Sequence, residues 1–206
     1  MTASENTIEE LAEVGNNLSQ GESLIRFSLG MRGRDRKVIP NVHSVSIRFG
    51  AERGEQFEPR GDAQDLMLMT AQRVVTMPIA ALATKQENFA GDIYHGGAPF
   101  EIDERPNMLL RLVPLGHVDT TGKDPFQNLR QAVEDGEVSF RLETSMMSQP
   151  NKWFPLVDIQ LADEVVIDDT RIEFQPFRTG RGIVPQGFVH YTRQVPYLMS
   201  EYARKV

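Results

Sequence analysis

Apolar and polar residues alternate along much of this chain, and a period of two predicts strands. The segments SLIRFSLGM (23–31) and NVHSVSIRFG (41–50) carry that pattern, and the charged MRGRDRK stretch between them reads as a hairpin loop. In the second segment His43, Val45, Ile47 and Phe49 share one face while Ser44, Ser46 and Arg48 share the other, so His43 is expected to look into the core. QDLMLMT (64–70) is a short continuous apolar run with the length and boundaries of a strand. GDIYHGGAPFEID and NMLLRLVPLG read as a turn-rich segment feeding two more strands. VSFRLETSM (138–146) alternates strictly, with Val138, Phe140, Leu142 and Met146 on one side, as in a half-buried antiparallel strand. After the NKWFP turn, LVDIQLAD and TRIEFQPF repeat the alternation and are expected to be strands as well.

Helical signals punctuate these strands. Residues 6–19 begin with an acidic first turn and are expected to lose helical character at Gly15-Asn16-Asn17, within an N-terminal helical segment spanning 1–22. MPIAALATKQENFAG (77–91) has Pro78 near its start and Gly91 after its end. Asp124 as N-cap, Pro125 at the first position, a stripe of Leu129, Ala132 and Val133, and Gly136 just past the end define a further helix. A last helix covers 186–206, with Pro196 expected to kink or restart it. Short, mostly antiparallel strands with helices at the start, middle and end predict an α+β fold, an antiparallel β-barrel or strongly coiled sheet with peripheral helices and a C-terminal helix.

Composition narrows the class. At 206 residues and 40% apolar, the chain supports one sizeable core, so a single domain over 1–206 is expected. A net charge of −7, with basic residues scattered among acids, argues against a nucleic-acid partner. No apolar run has the length of a membrane span, and Glu5, Glu9, Glu10 and Glu13 stand where a signal peptide has a basic and then an apolar region. A cytoplasmic protein is expected. With no cysteine there is no thiolate nucleophile or thiolate ligand, which leaves His, Tyr, Met and carboxylates for chemistry.

Two stretches suggest such chemistry. His43 is the best-placed histidine for proton transfer, because its ordinary pKa of about 6.5 suits that task, although a histidine on an apolar face also reads as a hydrogen-bonded core residue. His95 and His117 read as surface loop residues, and His190 with Tyr191 as capping or packing groups of the final helix. Met67, Met69, Met146 and Met147 read as core filler, or as the lining of an adaptable apolar cavity. Near the end, RQVPY sets Arg193 four residues before Tyr197, one helical turn apart.

The order of segments resembles the catalase superfamily. IRFSLG (25–30) looks like that family's V-R-F-S strand, and PNVHSVSIRF (40–49) looks like its following D-V-R-G-x-A-x-K-F strand. QDLMLMT, YHGGAPFEIDERPNMLLRLVPLG, DPFQNLRQAVEDG and FRLETSMMSQPNKWFPLVDIQLAD are similar to the next strand, hairpin, helix and F-P-x-x-D element, and R-x-x-x-Y falls where catalases place theirs. By this resemblance Tyr197 would bind haem iron as a phenolate and Arg193 would stabilise that anion. Arg26 would pair with a haem propionate, and Ser28 would lie close to the distal side. With His43, Ser28 then becomes a candidate catalytic residue.

The resemblance is incomplete. No residue before Ile25 is a histidine, so the family's distal acid–base residue is missing, and its distal asparagine is lost at Thr70-Ala71-Gln72-Arg73. Efficient peroxide dismutation is therefore not expected. Two readings follow: a haem protein using peroxide or organic hydroperoxide, with Tyr197 as iron ligand, or a haem-free catalase-like barrel serving as a binding or assembly module. A homo-oligomer is expected in both, because a second subunit would cover the face that the shortened N-terminal segment leaves open.

Overall fold

The computed structural model describes residues 3–29, 42–54, 57–72, 84, 87–118, 122–168, 172–190 and 192. Most alternating segments find a partner strand. β1 (Glu22–Leu29) pairs with β2 (His43–Ala51), and β2 with β3 (Pro59–Met69), which starts at Pro59 rather than at Gln64. β4 (Tyr94–His95) links β3 to β6 (Arg105–Pro114). β5 (Phe100–Ile102) lies on the same edge of β6 and carries β9 (Ile183–Pro185) beyond it. β7 (Ser139–Met146) covers the opposite edge of β6, and β8 (Phe154–Gln160) follows β7. Every one of these pairings is antiparallel, and the sheet curls into a half-barrel within an α+β fold. β1, β8 and β9 each pair with a single neighbour and form the ends of the sheet.

The concave side of the sheet holds the core. Val45, Ile47, Phe49, Leu66, Leu68, Tyr94, Met108, Leu110, Leu112, Phe140 and Leu142 meet there, joined by Leu11, Val14 and Leu18 of α1 (Ala3–Leu18). The expected loss of helix at Gly15-Asn16-Asn17 does not occur. Gly15 lets α1 lie close against β8: a Cβ on it would overlap the Leu156 carbonyl oxygen. Beyond it, Arg181 caps the helix from a distant loop, donating from Nη1 to the carbonyls of Asn17 at 2.6 Å, Leu18 at 3.3 Å and Gln20 at 2.6 Å.

α2 (Pro125–Glu134) forms as its sequence predicts. Asp124 accepts from the Phe126 amide at 2.9 Å, and Gly136 takes the left-handed conformation (φ 74°) that ends the helix. Ala132 is buried, while Leu129 and Val133 pack against the core.

TRIEFQPF is not a strand over its described residues, 172–177. Its alternation serves packing instead: Ile172 and Phe174 join Leu24, Ala51 and Phe57 in a second, smaller apolar cluster. Most of the helix expected over 77–91 lies outside the described residues. Its end is a turn at Glu87 followed by a 3-10 turn over Phe89–Gly91, capped by Asn88. Of the helix expected over 186–206, residues 188–190 and 192 are helical, and 193–206 lie outside the described residues. No helix among the described residues is long and apolar enough to cross a membrane.

Candidate functional site

The register of β1 against β2 decides which candidate residues can meet. Ile25 faces Ile47, Phe27 faces Val45 and Leu29 faces His43, so these side chains share the core side of the sheet. Leu24 faces Arg48, Arg26 faces Ser46 and Ser28 faces Ser44, which places them on the opposite side. Arg26 and Ser28 are therefore together, and His43 is separated from both by the thickness of the sheet.

His43 is fully buried. Its Nδ1 lies 2.7 Å from Asp92 Oδ2, and its ring centroid lies 4.3 Å from that of Phe89. An ionised carboxylate only accepts, so in that pairing His43 Nδ1 is the donor. Nε2 has no hydrogen-bond partner among the described residues. The neighbouring Tyr94 hydroxyl donates to the Phe89 carbonyl at 2.7 Å, and burial, followed by the nearby Asp92 charge, pushes its pKa well above the ordinary value. This arrangement ties the start of β2 to the segment entering β4. Ser28 Oγ lies 2.9 Å from Ser44 Oγ, a strand-to-strand link outside the core.

The chain following β8 returns over the convex side of β1–β3. There the Phe174 ring carries two guanidinium groups, Arg26 and Arg48, each with its central carbon 5.1 Å from the ring centroid. Arg48 donates to the buried Asp65 carboxylate from Nε at 3.0 Å and from Nη2 at 3.2 Å, Gln175 N donates at 2.8 Å, and Arg178 Nη1 donates to the same carboxylate. Arg48 also donates to the Glu173 carbonyl. Arg26 differs from its neighbours: its Nε is buried without a hydrogen-bond partner among the described residues, and no ion pair engages it there.

Arg26 opens onto a cleft of about 550 Å³ at the seam of the half-barrel, between β1 and β8. Ile25, Phe27 and Phe49 contribute from one side, Val157 and Ile159 from the other, and Leu129 and Val133 of α2 from the core. That volume lies within the usual range of roughly 300–1,000 Å³ for small-molecule sites, and the apolar wall is joined here by polar and charged residues, the carboxylates of Glu22, Asp158, Asp163 and Glu164 among them. Three arginines line the cleft. Arg130 is held by Glu164 in a two-pronged pair at 2.6 and 2.7 Å, which keeps the Glu164 carboxyl below the usual range. Arg53 stands 3.6 Å from Glu22 and 3.9 Å from Asp163. Arg26 is thus the lining cation without a carboxylate among the described residues.

Among its described residues the cleft carries none of the usual axial ligands of haem. The described residues around the cleft include neither His, Tyr nor Met; they offer apolar side chains, three guanidinium groups and four carboxylates. His43 and Ser28 do not line it, and Tyr197 and Arg193 lie outside the described residues.

The remaining histidines divide. His95 is half-buried in β4 rather than on a surface loop, and burial, together with the positive charge of Arg111, lowers its pKa. Arg111 in turn donates to Glu143 at 2.7 Å and lies 4.0 Å from the Trp153 ring centroid. His117 is exposed, and His190 is buried 4.8 Å from the Phe100 ring. Of the methionines, Met69 packs with Val42 and Ala71, Met67 with the smaller apolar cluster, and Met147 is exposed; none lines the cleft. Sequence reasoning missed the Asp65 network, in which Gln175 and Arg178 reach Asp65 from more than a hundred positions away and Arg48 from 17, with no shared motif. The chain matches no protein-family model, and no curated protein matches it.

Proposed function

We propose that this protein is a binding module, with the seam cleft between β1 and β8 as its site. The ligand has an apolar body and an acidic group that Arg26 receives. One observation carries this reading: an arginine supported on the Phe174 ring, without a carboxylate partner among the described residues, lines a partly apolar cleft whose other charged side chains, Glu22, Arg53, Arg130, Asp158, Asp163 and Glu164, all stand in ion pairs. A partly buried cation without a counter-ion retains a desolvation cost that an arriving anion relieves. Hydrogen bonds to a charged group contribute about 1.5–3 kcal/mol, or roughly ten- to a hundred-fold in affinity.

Displacement of 1-anilinonaphthalene-8-sulfonate tests the reading. Decanoate is expected to displace the dye about tenfold better than decanol, and the Arg26→Met variant is expected to lose that preference while binding decanol unchanged. Equal displacement by the two in the native protein would discard it. The haem-dependent, peroxide-using reading, based on the resemblance to catalases, requires Tyr197 to reach the cleft. Haemin added to the native protein then produces a Soret band that the Tyr197→Phe variant shifts or loses, and a spectrum unchanged by that substitution removes this alternative.

A further inference from the structure

Every residue from Gly21 to Phe27, and every residue from Val157 to Val165, lines the seam cleft. Neighbouring residues of a strand point to opposite faces, so an unbroken run means that the strand's edge looks into the gap. The outer edge of β1 makes no main-chain hydrogen bond to a described residue, and β1 pairs with β2 alone. Open amides and carbonyls beside an apolar wall are a template for another extended chain. A lipid or a planar cofactor would cover the wall and leave those groups unanswered.

Resting on the reading of the cleft as the binding site, we infer that its ligand is an extended peptide segment of another protein, added to β1 as an antiparallel strand. The side chains of β1 specify its pattern. Glu22, Leu24 and Arg26 project to one face, and Ser23, Ile25 and Phe27 to the other. Opposite-charge and apolar cross-strand pairs stabilise such an addition, so the segment carries an acid opposite Arg26, apolar residues opposite Leu24, Ile25 and Phe27, and a base opposite Glu22. At roughly 3.3 Å per residue, a heptapeptide spans about 23 Å and matches the length of the open edge.

The peptide acetyl-Thr-Val-Glu-Val-Val-Thr-Lys, labelled with fluorescein, meets that pattern and serves as the probe. Fluorescence anisotropy is expected to show saturable binding to the whole chain. Methylating one of the two alternating sets of peptide amides, the set facing β1, weakens binding at least tenfold, and methylating the other set does not. A peptide with Lys in place of its Glu binds at least tenfold more weakly, and the Arg26→Glu variant restores its binding. Amide exchange over residues 23–27 slows at least tenfold when peptide is present. Binding that tolerates both methylation patterns overturns the inference. So does failure of the peptide to bind while decanoate still displaces the dye in an Arg26-dependent way, an outcome that leaves the binding-module reading standing. Failure of both probes removes both. A dimer that the peptide dissociates assigns the edge to a second copy of this chain and also overturns the inference.

Discussion

Arg181 and Asn17 lie 164 positions apart in the chain, yet Arg181 Nη1 donates to the Asn17 carbonyl at 2.6 Å. The same nitrogen reaches the carbonyls of Leu18 and Gln20, and Nη2 donates to Asp62 at 3.0 Å. A helix end normally leaves several carbonyls without an intrahelical partner, and here one buried guanidinium satisfies them. The Arg181→Met variant is expected to lose about 2–4 kcal/mol in urea unfolding, because it deletes a charged donor and strands buried acceptors. Arg181→Lys recovers only part of this, since an ammonium cannot reproduce the planar fork. A loss below about 0.5 kcal/mol for Arg181→Met would refute the cap.

Gly15 makes the opposite prediction from helix propensity. In an exposed helix interior, Gly→Ala stabilises by roughly 0.5–1 kcal/mol. In this chain the added methyl would meet the Leu156 carbonyl oxygen, which belongs to a strand backbone and cannot swing aside. Gly15→Ala is therefore expected to destabilise by about 1–3 kcal/mol, read as a lower thermal midpoint. A higher midpoint would show that α1 and β8 are not in contact at this point.

These two residues show where sequence reading stops. Local rules located β2, β7 and α2, because alternation at Val45, Ile47 and Phe49 and caps at Asp124 and Gly136 act within a few residues. Gly15-Asn16-Asn17 looked like a helix end for the same local reason, whereas the need for glycine comes from β8. Ile172 and Phe174 alternate like a strand, but they cover the convex side of β1–β3, and a period of two cannot tell packing from pairing. Arg26 was legible as a candidate through a resemblance, and the structure places it at the cleft. Its separation from His43 depends on the sheet register, and the seam depends on how far the sheet curls. Neither is a property of any one segment.

Tyr94 links stability to alkaline pH. Its buried hydroxyl has a raised pKa in the folded state, through burial first and the Asp92 charge second. Above an unfolded-state pKa of about 10, the unfolded chain releases a proton that the folded chain retains, so ν_U is smaller than ν_N and stability falls as pH rises. The stabilising contribution is complete below pH 10 and is lost on the way up to the folded-state pKa. Between those limits the slope is about 1.4 kcal/mol per pH unit. Tyr94→Phe should remove this slope and also forfeit the bond to Phe89, giving a less stable but flatter profile. Urea midpoints measured from pH 9 to 11 for both proteins check this, and parallel profiles would contradict it.

Asp65 gives the sharpest test of the layer beneath Arg26. Its carboxylate is inaccessible to solvent and accepts from Arg48, Arg178 and the Gln175 amide, so two guanidinium groups share one buried carboxylate. Asp65→Asn keeps the shape and removes the charge, leaving Arg48 buried with no carboxylate to meet it among the described residues. Breaking a buried pair from one side costs about 3–5 kcal/mol, well above the value of an exposed pair such as Arg141 with Asp158. Replacing both partners, as in Arg48→Met with Asp65→Leu, removes the most deeply buried unpaired charge but leaves Arg178 and the Gln175 amide without their acceptor, so it is expected to recover only part of the loss. The two single variants should therefore be strongly non-additive in urea midpoints at constant m-value. Because Phe174 lies against both Arg48 and Arg26, disturbing this layer should also weaken the carboxylate preference of the cleft. A double variant that remains as unstable as Asp65→Asn would show that the layer contributes through packing rather than through its charges.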